Sequence, residues 1–330
     1  MKGKLALALL GLPLIGSAQT FNDNFDAGTS AGNWTVYNTN TGTGTNPINN
    51  DANFAYDYSL IGIPSAPGST GGSTIGMRLL VNRVGSAAAT TAALPGFSVS
   101  PTGGSYGGDV TLTFDAWQNF IKPGASGLGG SGSTQMLLGG ILNNGTMQSP
   151  GVGINGLSFA GTGDGNSTAD YRVYAAAGAP IGTSVLTAGS AAESNAYYTS
   201  RFQGAIPGAQ TTIEATQSGI VKAGALGFSW NTWEIKKVGS IVTWKVRPSV
   251  GPGAGTFHLL STVDLTTLSA RAGKNFSIGV SDINNGASTD PLSDLYTASI
   301  IDNVQMVPEP GTMAALGLGA VALMRRRRSK

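Results

Sequence analysis

The sequence predicts an all-β protein, a single antiparallel, jelly-roll-like β-sandwich. Glycine accounts for 50 of the 330 residues, and charged residues make up 11%, against roughly 25% in typical soluble domains. Helical bundles and coiled coils need many charged residues on their exposed faces, and collagen needs glycine at every third position, so the composition excludes all three. Because 41% of the residues are apolar, the chain can bury a core, which excludes extensive disorder.

The body of the chain alternates short β-like runs with clusters of Gly, Ser, Thr, Asn and Pro, and no helical period recurs. In the run 109–120, Val110, Leu112, Phe114 and Ala116 alternate with polar residues. This period of two predicts a strand with one buried and one polar face. Strands are predicted at 32–37, 75–84, 109–120, 135–142, 171–175, 196–203, 227–238, 241–247, 256–264, 276–281 and 298–307.

A β-hairpin is predicted around the dipeptide Gly239-Ser240, which suits the two central positions of a type II′ turn. The register that this turn imposes gathers the apolar side chains on one face and opposite charges on the other, so turn chemistry and side-chain pattern agree. The predicted pairs are Ile235 with Trp244, Trp233 with Val246, and Glu234 with Lys245.

The first 18 residues have the layout of a secretory signal peptide. Lys2 and Lys4 precede an apolar run over residues 5–15, and small residues precede the bond between Ala18 and Gln19. We expect cleavage at that bond and export of the chain, with the export machinery as a partner. The sequence has no cysteine, so the exported domain must be stabilised by its core or by bound ions rather than by disulfides.

Three features follow one another at the C-terminus: a Pro-Glu-Pro triplet, a short apolar run and a basic cluster. The apolar run 312–324 would rise only about 20 Å as a helix, less than the roughly 30 Å of a bilayer core, so it predicts a short, weak transmembrane helix. The positive-inside rule places the basic cluster in the cytoplasm and the body outside. The triplet is Pro308, Glu309 and Pro310, and the cluster contains Arg325, Arg326, Arg327 and Arg328.

These C-terminal residues resemble the PEP-CTERM sorting signal of Gram-negative bacteria. The resemblance implies that an exosortase processes the tail at the Pro-Glu-Pro site and that the precursor is tethered transiently to the inner membrane. It also implies that the protein reaches the cell surface or the extracellular matrix, in association with exopolysaccharide. We therefore divide the chain into a signal peptide (1–18), a sandwich domain (19–306) and a sorting and anchor segment (307–330).

The predicted hairpin, the opening residues 22–26 and the closing residues 301–304 together resemble concanavalin A-like lectin and laminin-G-type sandwiches. The resemblance implies that the first and last strands of the domain pair side by side. It indicates a fold and leaves the function open.

The formal charge of +2 is a property of the two ends of the chain. Residues 19–307 carry 12 basic and 16 acidic side chains, a charge of −4. A weakly acidic surface is a poor partner for phosphate backbones, so we predict no nucleic-acid binding.

The sequence predicts that the body is not an enzyme. A glycosidase needs two carboxylates about 5 to 10 Å apart, and the Glu-x-Asp-x-Glu strand of bacterial glucanases of this fold class does not occur. The glutamates of the body, Glu193, Glu214 and Glu234, are far apart in sequence, and His258 is the only histidine. An unrecognised glycoside hydrolase is kept as a second alternative.

Calcium is the one cofactor for which the sequence offers candidate ligands. It binds six to eight oxygens, and two loops supply alternating Asp and Asn. Asx-turns account for the same residues without a metal, so both interpretations stay open. The candidate ligands are Asp164, Asn166 and Asp170 in one loop and Asp282, Asn284 and Asp290 in the other.

Aromatic side chains are the candidate ligand-binding residues, because they stack on sugar rings. Trp117 lies opposite the apolar face of its strand, so we expect it to be exposed, and Trp34 is the second candidate. The leading hypothesis is a non-enzymatic, exported surface or matrix protein. The first alternative is a carbohydrate-binding adhesin.

Overall fold

The computed structural model describes residues 19–38, 50–81, 83, 96–121, 135–146, 148–151, 153–164, 168–175, 179–215, 217–269, 271, 273–282 and 291–309. These residues form two antiparallel β-sheets that enclose a core, which confirms the predicted all-β sandwich. The strands are β1 (Phe21–Asp23), β2 (Trp34–Tyr37), β3 (Asn50–Asp57), β4 (Ile75–Val81), β5 (Gly96–Pro101), β6 (Val110–Asn119), β7 (Gln135–Asn143), β8 (Leu157–Thr162), β9 (Tyr171–Tyr174), β10 (Trp230–Val238), β11 (Ile241–Pro248), β12 (His258–Asp264), β13 (Asn275–Asp282) and β14 (Ala298–Pro308). The helices are α1 (Ala196–Thr199) and α2 (Ser293–Tyr296), with 3-10 turns at Ser30–Asn33, Tyr58–Ile61, Thr70–Gly72, Thr183–Val185, Gly208–Thr212 and Leu265–Thr267.

The larger sheet, called the front sheet below, has the strand order β12-β11-β10-β6-β14-β4-β3. β1 also belongs to it and pairs with the end of β14, so the first and last strands lie side by side as predicted. The back sheet has the order β2-β5-β13-β7-β8-β9. Every strand pairing in the two sheets is antiparallel.

The β10–β11 hairpin has the predicted register. Ile235 pairs with Trp244, and Glu234 pairs with Lys245, whose Nζ lies 2.9 Å from the Glu234 Oε1. Gly239 has φ 58°, the left-handed value that the first central position of a type II′ turn requires. The turn and the alternating pattern therefore fix the same register.

The core lies between the two sheets and is built around aromatic rings. The Trp233 ring centroid lies 5.5 Å from that of Phe114 and 4.8 Å from that of Trp244. The sheets approach closely at Gly139 of β7, where an added Cβ would lie 2.9 Å from the Phe114 ring and 3.1 Å from the Ile235 methyl group. A side chain at residue 139 would therefore push the sheets apart.

A second apolar cluster lies on the outer face of the front sheet. Connections from two parts of the chain carry Tyr58, Ile63 and Phe228 onto the sheet residues Trp117 and Trp230. The Trp230 Nε1 donates to the Pro64 carbonyl over 2.7 Å, which fixes one of these connections to the sheet. At one end of this outer face, the side chains are therefore as buried as those of the core.

One predicted strand is wrong, because residues 196–203 begin with α1 rather than a strand. The Asn195 side chain accepts a hydrogen bond from the Tyr197 N–H and so caps this helix. The predicted strands also omit β3, β5 and β8.

The two ends of the chain are described only in part. The signal peptide with Ala18, the apolar run 312–324, Pro310 and the four arginines lie outside the described residues. Gln19, the predicted first residue of the exported domain, is exposed and precedes β1 by two positions. Within the described ranges, no helix combines the length and apolar character needed to cross a bilayer.

Candidate functional site

The last strand leads directly into the sorting triplet. β14 continues through residues 306 and 307, and its final pair with β6 joins Pro308 to Val110. The next residue, Glu309, donates its backbone N–H to the Asp109 carbonyl over 3.0 Å. The first two residues of the triplet therefore stay hydrogen-bonded to the front sheet at the end of β14.

Two strands of the front sheet hold the Glu309 side chain. Lys236 of β10 donates from Nζ to Oε2 over 2.6 Å, and Thr111 of β6 donates from Oγ1 to Oε1. Burial raises the pKa of Glu309, but the hydrogen bonds from Lys236 and Thr111 outweigh this effect and hold the pKa below its usual value. The carboxylate is therefore charged and bound at neutral pH. Together with Asp109, these residues form what we call the glutamate clasp.

Asp109 joins the clasp to the β10–β11 turn. Its Oδ1 accepts hydrogen bonds from the Gly239 N–H over 2.8 Å and from the Lys237 Nζ over 3.2 Å. The clasp thus combines Asp109 and Thr111 with Lys236 and Glu309, which come from three distant parts of the sequence. It can form only when the front sheet has formed.

The expectation that Trp117 is exposed is wrong. Its side chain is 4% exposed, and its ring packs edge-on against Trp230 and Phe228, with centroids 5.9 and 6.4 Å away. The alternation in β6 correctly separates two faces, but the second apolar cluster covers the outer one. Trp117 therefore contributes to packing and offers no face to a sugar.

Trp34 is also buried, at 5% exposure. Its ring stacks on Phe25 at 6.2 Å, and its Nε1 donates to the Asp23 carboxylate over 2.9 Å. Residues of β1 and β2 are joined by this contact. Trp34 therefore stabilises the start of the domain and is not a surface platform for a ligand.

Two aspartates that sequence reasoning did not connect face each other across β6 and β14. Asp115 and Asp302 are partners in the strand register and are 3% and 1% exposed. Converging carboxylates are what a glycosidase requires. Here the segment around Ser69 covers both, so they are closed to substrate. Asp115 accepts from the Thr232 Oγ1 (2.6 Å), the Gly68 N–H (3.0 Å) and the Asn303 Nδ2 (3.0 Å), and Asp302 accepts from the Tyr58 hydroxyl (3.0 Å) and the Ser69 Oγ (2.9 Å).

The surroundings of Asp302 favour its neutral form. Burial raises its pKa to about 6, although hydrogen bonds from Ser69, Tyr58 and the Asn303 N–H act in the opposite direction, and the Asp115 charge raises it further. The carboxyl group therefore changes charge just below neutral pH while it is enclosed by protein.

A second buried acidic pair joins Asp170 to Glu193. The Asp170 Oδ2 accepts from the Glu193 N–H over 3.0 Å, and its Oδ1 accepts from the Thr162 Oγ1 over 2.6 Å. Burial and the hydrogen bond to the Glu193 side chain raise the pKa of Asp170 to about 7. Burial also raises the pKa of Glu193, but Asp170 and Lys222 outweigh it and lower the pKa overall. The pair therefore keeps one proton, on Asp170, below neutral pH.

The predicted calcium loops are only partly described. Asp164, Asp170 and Asp282 are buried, and Asp170 is directed to Glu193. In the described portion of the chain, no group of three or more His, Cys, Asp or Glu side chains is placed to hold a metal ion. Calcium binding stays a prediction. The remaining candidate ligands, Asn166, Asn284 and Asp290, lie outside the described residues.

A groove of about 330 Å³ lies between β3 and the connection from β1 to β2. Phe54 lines it, and this ring stacks on Trp34 with centroids 6.3 Å apart. Asp51 and Asn53 also line the groove, and Asp51 forms a 2.8 Å ion pair with Arg78. Phe54 can offer an apolar surface to a sugar, and the alternation along β3 places the side chains of Asp51 and Asn53 on the opposite face of the strand. Sequence reasoning missed this site because β3 was not predicted.

Residues 307–328 match the PEP-CTERM protein-sorting motif. The match begins within β14 and includes Pro308, Glu309, Pro310 and the four arginines at 325–328. It confirms the predicted sorting signal. The motif indicates an exported protein that is recognised by an exosortase and processed at the membrane.

The comparison with solved structures found lectins and a lyase at low similarity. The Ca²⁺-bound exoplasmic/lumenal domain of VIP36 is 10% identical, with a TM-score of 0.38 over 84% of this chain and 91% of that one. The alginate lyase from Klebsiella pneumoniae is 10% identical, with a TM-score of 0.35 over 71% and 82%. The lectin UEA-II complexed with galactose is 10% identical, with a TM-score of 0.31 over 83% and 97%. The comparison with curated proteins found no match.

Proposed function

We propose that this protein is a non-enzymatic component of the cell surface or extracellular matrix, sorted by an exosortase through residues 307–328. The observation that carries the proposal is the sorting motif attached without a linker to the last strand of the sandwich. Every described strand ends at or before Pro308, so a cut after the triplet leaves the sandwich whole. The closed Asp115–Asp302 pair supports a non-enzymatic role.

The test follows the C-terminus of the protein in its native host. Intact-mass measurement of wild type should show loss of the basic tail, together with transfer from the membrane fraction to the surface or matrix fraction. Glu309→Gln should keep the tail and stay in the membrane. Glu234→Gln changes a glutamate on the same outer face of the sheet and should be processed like wild type. A wild-type protein that retains Arg325–Arg328 in every fraction would contradict the proposal.

A second candidate function, polysaccharide binding, is supported by the groove beside Phe54. Its volume of about 330 Å³ lies within the usual range of ligand sites, roughly 300–1,000 Å³. Phe54 is half-buried and supplies an apolar surface, and Asp51 and Asn53, whose side chains lie on the opposite face of β3, line the same groove. This arrangement fits a sugar residue of a neutral or weakly charged polysaccharide.

Binding is tested by pull-down of the mature protein with exopolysaccharide from its host. Phe54→Ala should weaken binding by roughly fivefold, because one aromatic contact contributes about 1 kcal/mol. Phe257→Ala removes an aromatic ring outside the groove and should bind like wild type. A Phe54→Ala protein that melts near the wild-type temperature and binds equally well would show that the groove is not the site.

A further inference from the structure

We propose that the glutamate clasp gates the sorting reaction. The sorting enzyme can bind Glu309 only after the Glu309 carboxylate has released its hydrogen bonds from Lys236 and Thr111. This inference rests on the proposed function, because it concerns the same triplet. It assigns to Lys236 and Thr111 a role in the rate of sorting. These two residues lie far from the motif in sequence.

The clasp occupies the groups through which a glutamate is recognised. Both carboxylate oxygens accept hydrogen bonds from the sandwich, and the backbone N–H is bound to the Asp109 carbonyl. The Glu309 side chain is only 12% exposed. An enzyme that recognises a glutamate must place its own donors on the same oxygens. The sandwich and the enzyme therefore compete for one side chain.

The clasp can open without unfolding of the domain. Glu309 lies just beyond the last β14–β6 pair, and strand ends open at lower free energy than strand centres. Lys236 is 36% exposed, and an ion pair with such access to water is weak. Opening is therefore a local, reversible step. It delays the reaction without preventing it.

The clasp also distinguishes a folded chain from an unfolded one. Its parts come from β6, β10 and the end of β14, so an unfolded chain presents a free triplet. A folded sandwich is therefore sorted more slowly than the same triplet in an unfolded chain. Removal of the donors Lys236 and Thr111 should raise the processing rate of the folded chain toward that of the unfolded chain.

The test compares the full chain with variants that lose one donor each. Lys236→Met and Thr111→Val should be processed about three- to tenfold faster than wild type in a pulse-chase in the native host, followed by intact mass. Lys245→Met removes a lysine of the same outer face that pairs with Glu234, and should be processed at the wild-type rate. Hydrogen exchange of the full chain in detergent should show faster exchange at the Glu309 amide in Lys236→Met.

One control variant distinguishes gating by the clasp from unfolding of the domain. Trp117→Phe weakens the domain with the clasp intact; if it accelerates processing as much as Lys236→Met, unfolding sets the rate and the gate is refuted. Faster exchange at Glu309 without faster processing also overturns the proposal, as does no change in either. If neither wild type nor any variant is ever processed, the proposed function itself is wrong.

Discussion

Replacement of Trp117 by alanine tests whether this residue belongs to the interior or to a ligand surface. The side chain is 4% exposed, packs against Trp230 and Phe228, and donates from Nε1 to the Asn119 Oδ1 over 3.2 Å. If it belongs to the interior, the variant loses stability. If it belongs to a ligand surface, the variant loses binding and keeps its stability.

The expected cost is about 4 kcal/mol. Replacement of a buried Trp by Ala costs about 3–5 kcal/mol in other proteins. The Asn119 Oδ1 still accepts from the Gln210 Nε2 over 2.8 Å, so no buried acceptor is left without a donor and the cost stays within that range. For a domain of about 290 residues, the entropy of unfolding near the melting temperature is about 0.6 kcal/mol/K, so Tm should fall by about 6–7 °C.

The assay is differential scanning calorimetry of the mature protein, with Trp117→Phe as the matched control. Phenylalanine keeps most of the ring packing and loses the Nε1 hydrogen bond, so its Tm should fall by less than half as much. A Trp117→Ala protein with unchanged Tm would refute the packing argument. Loss of polysaccharide binding at unchanged Tm would show instead that Trp117 contacts the ligand.

The buried carboxyls and one glycine provide two further predictions. Asp302 and Asp170 have raised pKa values of about 6 and about 7, so the stability they contribute is complete below about pH 4 and is lost as the pH rises through these values. Tm should therefore fall between about pH 4 and about pH 7, and Asp302→Asn should reduce that fall; an identical fall in the variant would contradict the assignment. Gly224→Ala should cost about 2–4 kcal/mol in urea unfolding, because φ is 91° and the added Cβ meets the Glu193 carbonyl oxygen. Gly28→Ala, with φ 67° and open space, should cost about 1 kcal/mol, and equal costs would show that the contact is unimportant.

Local patterns in the sequence predicted the parts of the fold that depend on neighbouring residues. Gly239-Ser240 and the alternation around it fixed the hairpin register, including the contact between Glu234 and Lys245. The strand around Phe114 was predicted for the same reason. The β-like run at residues 196–203 led to one error, because the Asn195 cap selects a helix over a strand there.

The sites could be predicted only in part, because their members come from distant segments. The triplet at Pro308 was visible as a motif, but nothing near it indicates that Lys236 and Thr111 bind Glu309. Asp115 and Asp302 meet only through the β6–β14 pairing. The period of two in β6 shows that two faces exist, but it cannot show that distant connections cover the second face and bury Trp117.

The position of β14 has a consequence for transport. It is the last strand in sequence, yet it lies inside the front sheet, between β6 on one side and β4 and β1 on the other. Until residues 298–308 have crossed the membrane, the strands on its two sides share no neighbour, and the sheet exists as two unfinished pieces. If the chain is exported from its N-terminus, the front sheet is completed only when this strand emerges, since its most distant contacts form last. The strand that completes the front sheet is then also the strand that carries the sorting motif.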